Sequence, residues 1–256
     1  QVDGILAEMA RELRALVQTA NLDDGRKRDV EALIKAAEDE ISIGYKRAGA
    51  ATDTYQLAVI VAEKTQALIE DQIAEVARVP TDATLMALGK DVLIDGSPAS
   101  AWWARQSDDL AFRFAAQVRQ GVANGETTER IVMRVVGKNG EPGIIEGARR
   151  NARLLVHSSV MTAAAQARFA TFRQNERLFK GVRWLATLDM NACNQCAALD
   201  GEAWNFDGEK LPGTKVAFRL PLAHFGCRCT ITAVRKTLRE KGIASDEAGI
   251  NRRAAD

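Results

Sequence analysis

The chain has 256 residues, enough for one large domain or two small ones around a sizeable core. Lys and Arg number 35 and Asp and Glu 34, and the resulting net charge of +1 excludes a nucleic-acid binder that works by overall field, leaving room only for a local basic face. The longest apolar-looking stretch without a charge, residues 154–167, is too short and too rich in His, Ser, Thr and Gln to cross a bilayer, so no membrane span is expected. The chain opens on Gln1 and not on Met, which points to a processed start or a preceding segment.

Of the 14 aromatic residues only Tyr45 and Tyr55 precede residue 100. Small cores depend on aromatic bulk, so residues 1–90 read as a helical arm that packs on neighbours. Ile5, Leu6, Met9, Leu13, Leu16 and Val17 recur at helical spacing, opposite Glu8, Arg11, Glu12 and Arg14. A second helix starts near Asp23 or Asp24 and carries Val30, Leu33, Ile34, Ala37, Ile41 and Tyr45. A third runs over about 52–79 and is stopped by Pro80, since the residue before a proline is pushed out of the α region. The acidic run Glu38, Asp39, Glu40 reads as a solvated helix face.

Residues 91–180 read as a helical bundle domain. Ser97 and Pro98 match an N-cap and a first-turn proline, and Trp102, Trp103, Leu110, Phe112, Phe114 and Val118 follow on a helix ending between Gly121 and Gly125. A short helix capped by Thr127 or Thr128 carries Ile131, Val132 and Val135 and stops at Gly137. Residues 137–147 read as a flexible joint, and 145–174 as a long helix holding Leu154, Leu155, Val160, Met161, Phe169 and Phe172. Two adjacent short helices resemble a helix-turn-helix, but no basic cluster faces outward to read bases.

From Gly181 the pattern changes to strands. Val182, Trp184, Ala186 and Leu188 alternate, residues 202–206 form a second candidate, and Cys229, Ile231, Ala233 and Val234 a third. A loop rich in Gly, Pro and Lys spans 207–221, and the tail, 236–256, reads as a short helix with a frayed end.

All four cysteines fall in this last section. Cys193 and Cys196 form a C-x-x-C knuckle; His224, Cys227 and Cys229 form an H-x-x-C-x-C cluster. Two short clusters of soft ligands joined by a loop are a zinc pattern, in which a tetrahedral ion ties together corners that a thin core cannot hold. Cys193, Cys196 and Cys227 are the first three ligands, with His224 or Cys229 completing the set. The rival readings are disulfides, for which no secretory signal is visible; a thioredoxin-like redox pair, for which the βαβ setting is missing; and a catalytic zinc with Asp189 or Asp200 as general base. His157, the one other histidine, reads as a structural residue of its helix.

Thr187, Leu188, Asp189, Cys193, Cys196, Leu199, Asp200 and Gly201, followed by Pro221, His224, Cys227, Arg228 and Cys229, resemble the signature of the phage Mu F-like minor head proteins, also called phage head morphogenesis proteins: T-x-D-x-x-x-C-x-x-C-x-x-L-D-G, then P-x-x-H-x-x-C-R-C. The helix over 103–125 and the long helix that ends in 165–172 fit the family more loosely, and the first 90 residues are not covered. The expected class is mainly α: elongated helical N-terminal and middle sections, then a small α+β zinc-knuckle module of the Mu F-like type at 181–235. The resemblance implies a non-enzymatic virion component, a minor capsid protein present in several copies per head. Its implied partner is the phage portal protein, with the major capsid protein and packaged DNA as further candidates, its cofactor Zn, and its place the phage head near the portal, after assembly in the host cytoplasm. The alternatives are a zinc-dependent nuclease or toxin-type effector enzyme, and a zinc-containing DNA-binding module. Within the motif, Asp200 and Gly201 read as a turn with Gly at positive φ, and Arg228, between two ligands, as aimed away from the metal toward a carboxylate or phosphate.

Overall fold

The computed structural model describes residues 1–20, 22, 26–90, 92–138, 141–237 and 239–242. The chain is mainly helical, with a small sheet near its C-terminal end, and forms two compact units: Gln1–Thr54 with Asp91–Val160, and Tyr55–Lys90 with Met161–Asp256.

In the first unit, α1 (Val2–Thr19) buries Leu6, Met9, Leu13 and Val17, a stripe at helical spacing that packs on α2 (Lys27–Ala50). α2 also packs on α5 (Ala99–Ala123), whose Trp103, Leu110, Phe114 and Val118 are buried. The short helix α6 (Thr128–Val136) inserts Ile131, Val132 and Val135 against α1 and α5, and its start is held by Arg134 reaching back to Glu126 at 2.5 and 2.6 Å. The stripes of α1 and α2, which suggested an arm waiting for a partner, are therefore covered by helices of the same chain. Trp103 belongs to this core: it is buried, meets Tyr45 with ring centroids 6.1 Å apart, and stands on Gly49. Trp102 is half-buried and donates its indole N–H to the Ile94 carbonyl at 2.8 Å.

Before α5 the expected Ser97 cap gives way to a hairpin. β1 (Leu93–Ile94) pairs antiparallel with β2 (Ser97–Pro98) across Asp95 and Gly96, both at positive φ (49° and 77°), the Asp-Gly turn that suits a two-residue hairpin. Residues 137–147 contain a second such ladder, β3 (Gly137–Lys138) with β4 (Glu141–Pro142), before α7 (Ile144–Gln174) begins. Residues of α7 up to Val160 belong to the first unit and those from Met161 to the second.

In the second unit, α3 (Thr54–Ile73) ends well before Pro80. Ala74 turns to φ 54°, and the chain then runs back along the helix, with the Ala77 carbonyl accepting from Gln66 and the Ala77 N–H donating to Glu70, each at 3.1 Å. Asn175 grips Arg78 by both backbone groups, at 2.8 and 2.7 Å. These side-chain contacts replace the last helical turns, and α4 (Asp82–Lys90) follows Pro80. The sheet has the order β6-β5-β7, all antiparallel, with β5 (Phe179–Leu185) between β6 (Ala203–Trp204) and β7 (Thr230–Arg235). Ile69, Phe172, Phe179, Val182, Phe206 and Ile231 form the core where α3 and α7 cover the sheet. Gly181 permits the β5–β6 approach, since a Cβ there would stand 1.9 Å from the Trp204 carbonyl oxygen. Of the tail, residues beyond 242 lie outside the described residues, and so does most of the helix expected there.

Candidate metal centre

The centre is built on the end of β5. After Leu185 the chain leaves the sheet and is fixed at three points. The Ala186 N–H donates to the Asp200 carboxylate (2.8 Å), the Thr187 hydroxyl to the Arg228 carbonyl (2.9 Å), and the Asn191 N–H to the Asp189 side chain (2.9 Å). The last is an Asx turn, which leads into the knuckle. Cys193 is the N-cap of α8 (Asn194–Leu199), its sulfur accepting the Cys196 N–H at 3.3 Å. Gly201, at φ 81°, then reverses the chain, and its N–H returns to the Trp184 carbonyl at 3.0 Å.

The loop over 207–221 carries the second ligand cluster back to the first. The Thr214 hydroxyl brackets Ala203 (3.0 Å from its N–H, 2.6 Å from its carbonyl), Glu202 accepts the Lys215 N–H at 2.6 Å, and the Trp204 indole donates to the Val216 carbonyl at 3.0 Å. A turn closed by the Cys227 N–H on the His224 carbonyl (3.1 Å) presents His224, Cys227 and Cys229 to the knuckle.

All five expected donors meet. The ligand atoms of Cys193, Cys196 and His224 lie within 4.8 Å of one another, as do those of Cys196, Cys227 and Cys229, so Cys196 belongs to both groups. His224 Nε2 is 3.1 Å from both the Cys193 and the Cys196 sulfur, and the Cys196 and Cys227 sulfurs are 3.7 Å apart. Around a tetrahedral zinc, with bonds of about 2.3 Å to sulfur and about 2.0 Å to nitrogen, donors stand about 3.5–3.8 Å apart. The Cys196–Cys227 separation of 3.7 Å matches such an ion, and the two His224 contacts at 3.1 Å are tighter than it needs, so the ring would shift outward on binding. His224 Nδ1 faces the Phe225 carbonyl at 2.8 Å, which assigns its proton to Nδ1 and leaves the Nε2 lone pair turned to the sulfurs, as metal-ligating imidazoles require.

The electrostatics divide the thiols. The Cys196 N–H lowers the pKa of Cys193, whereas burial raises those of Cys196 and Cys229. A bound dication would override both shifts, because coordination deprotonates a thiol outright. All four cysteines are free thiols, so the disulfide reading fails in this structure. Arg228 forks onto Asp189 with two hydrogen bonds of 2.6 Å, which holds that carboxyl down to about 2. Arg228 thus points to a carboxylate, as expected, and the two carboxylates weighed as general bases both have partners: Asp189 holds Arg228, and Asp200 holds Ala186. His157 sits half-buried on α7 and is not among the donors gathered in either group.

The sequence reading passed over Trp184. It is fully buried, packs in one cluster with Cys196, Leu199, Trp204, Cys227 and Cys229, and its indole nitrogen has no hydrogen-bond partner among the described residues. Its place in an alternating strand marked it as core, and nothing in the spacing signalled more.

The family model described as phage Mu protein F like protein matches residues 113–232, just under half of the chain. The chain carries a phage Mu F-like domain. This Mu F-like domain includes the five donors and every contact described above that closes the centre, while α1 to α4 and the β1–β2 hairpin precede it. No curated protein and no solved structure matches the chain. Among the described residues, no helix is long and apolar enough to cross a membrane.

Proposed function

We propose that the chain is a head morphogenesis protein of a tailed phage, a minor capsid component that binds the portal vertex and performs no turnover, with residues 181–235 stapled by one structural zinc ion. The observation that carries the reading is the phage Mu F-like match over 113–232 and the convergence of its signature residues on one cluster.

Cys193, Cys196, His224, Cys227 and Cys229 are the residues that would hold the metal, four at a time. Zinc there supplies coordinate bonds that tie the knuckle to the 224–229 turn, in a section whose sheet is three strands wide. Five donors for four positions, and carboxylates already engaged by Arg228 and Ala186, favour a closed ion over one with an open position for water.

Mass spectrometry and cryo-EM of heads from a phage carrying the gene, with binding of the purified protein to its portal, test the assembly role. Density for the chain at the portal vertex and retention on the portal are expected. Heads without a copy, or no portal binding in any assembly state, overturn it. Zinc-dependent hydrolysis of DNA, RNA or a nicotinamide dinucleotide, lost in Cys196→Ser, would replace it with the enzyme reading.

A further inference from the structure

The five donors do not account for Trp184. Two tryptophans share the apolar cluster around the cysteines, and they differ in one respect. Trp204 gives its N–H to the Val216 carbonyl, whereas the equally buried Trp184 has no acceptor among the described residues. A buried N–H without an acceptor is destabilising, and a phenylalanine there would carry no unmet polar atom. The side-chain acceptors in the same cluster are the sulfurs of Cys196, Cys227 and Cys229, with Cys193 packed against it. A neutral thiol accepts hydrogen bonds poorly, but a metal-bound thiolate carries charge and accepts them well. The centre already uses this contact once, from the Cys196 N–H to the Cys193 sulfur.

We propose that Trp184 is a positioning residue of the metal centre, which donates its indole N–H to a sulfur of the Cys196, Cys227 and Cys229 group once those sulfurs are metal-bound thiolates. This rests on the zinc reading of the cluster. The hydrogen bond draws charge from the sulfur, orients it toward the metal and couples occupancy of the centre to the packing of β5, on which Trp184 lies.

The test uses the full chain with Co²⁺ and Zn²⁺ as probes. Wild-type protein should show a thiolate-to-cobalt charge-transfer band. Trp184→Phe should shift that band to lower energy and weaken zinc binding in chelator competition by about 10- to 100-fold. In the wild type, the Trp184 indole ¹H–¹⁵N resonance should couple to ¹¹³Cd in the cadmium form, which folding of the section on metal binding does not by itself produce. That measurement decides the matter if the variant misfolds. No charge-transfer band in the wild type overturns the zinc reading itself. A band with no ¹¹³Cd coupling at the indole, and a variant of unchanged affinity, overturns the role of Trp184 alone.

Discussion

Arg228 and Asp189 face each other through two hydrogen bonds of 2.6 Å, and the pair links the turn that carries the second ligand cluster to the turn that enters the first. Because Arg228 stands between Cys227 and Cys229, its orientation constrains both sulfurs. A planar fork makes this contact and a lysine does not, so Arg228→Lys should weaken zinc binding and lower the melting temperature, by less than removal of a ligand does. Calorimetry of the loaded protein measures it. The same contact sets a pH dependence. The Asp189 carboxyl is depressed from 3.8 to about 2, so the stability it contributes is fully present above about pH 4 and is lost as pH falls through about 2. A ¹³C titration of this carboxyl should give a midpoint near 2 in the wild type and a higher one in Arg228→Ala, where the Asn191 N–H still favours the carboxylate.

Cys196 is shared by both donor groups, and its substitution should be the most damaging of the five. Elemental analysis of protein purified under reducing conditions should find about one zinc per chain. Cys196→Ser should carry almost none, with the section after Gly181 unfolded and the helices largely kept, because metal binding energy there is folding energy. Metal-free protein whose C-terminal section remains folded by NMR would contradict both statements.

Gly181→Ala puts a methyl group 1.9 Å from the Trp204 carbonyl oxygen, an overlap with backbone that no rotamer change relieves. Separation of β5 from β6 should cost about 3 kcal/mol or more, read in urea denaturation, and should lower zinc affinity because Trp204 and the 207–221 loop move with β6.

Trp103→Ala should destabilise the first unit by about 3–5 kcal/mol through the cavity it leaves between Tyr45 and Gly49. Tyr45 beside it is pushed up to about 12, chiefly by burial, so its neutral form is favoured in the fold. The stability this contributes is present below pH 10 and is lost as pH rises from 10 through 12. Ultraviolet titration at the tyrosinate band checks the midpoint.

A fragment of residues 1–79 should show little helix by circular dichroism. It contains α1, α2 and α3 but neither α5 nor α6, which cover the stripes of the first two, and α3 belongs to the other unit. Addition of residues 91–160 in trans should restore helix to α1 and α2. A cooperative, concentration-independent melt of the fragment alone is the contrary result.

Local pattern was enough to read much of this protein. The 3.6-residue stripes of α1, α2, α5, α6 and α7, the alternation at 182 and 184, and the cysteine spacing are all properties of consecutive residues and reappear, although Ala186 and Leu188, read into the same strand, follow the end of β5, and Phe112 of α5 is exposed. The motif residues were legible for the same reason: Gly201 is a turn glycine and Arg228 seeks a carboxylate whatever the rest of the chain does. Tertiary structure alone decided where each stripe is buried, because an apolar face specifies that it must be covered and not by what. Residues 1–54 therefore pack with 91–160, and Trp103 is core. Tertiary contacts also ended α3 at Ile73, where Asn175 and Glu70 offered the backbone better partners than another helical turn. They placed Trp184, with its unpaired N–H, in one cluster with the cysteines, a relation between strand and knuckle that no spacing along the chain expresses.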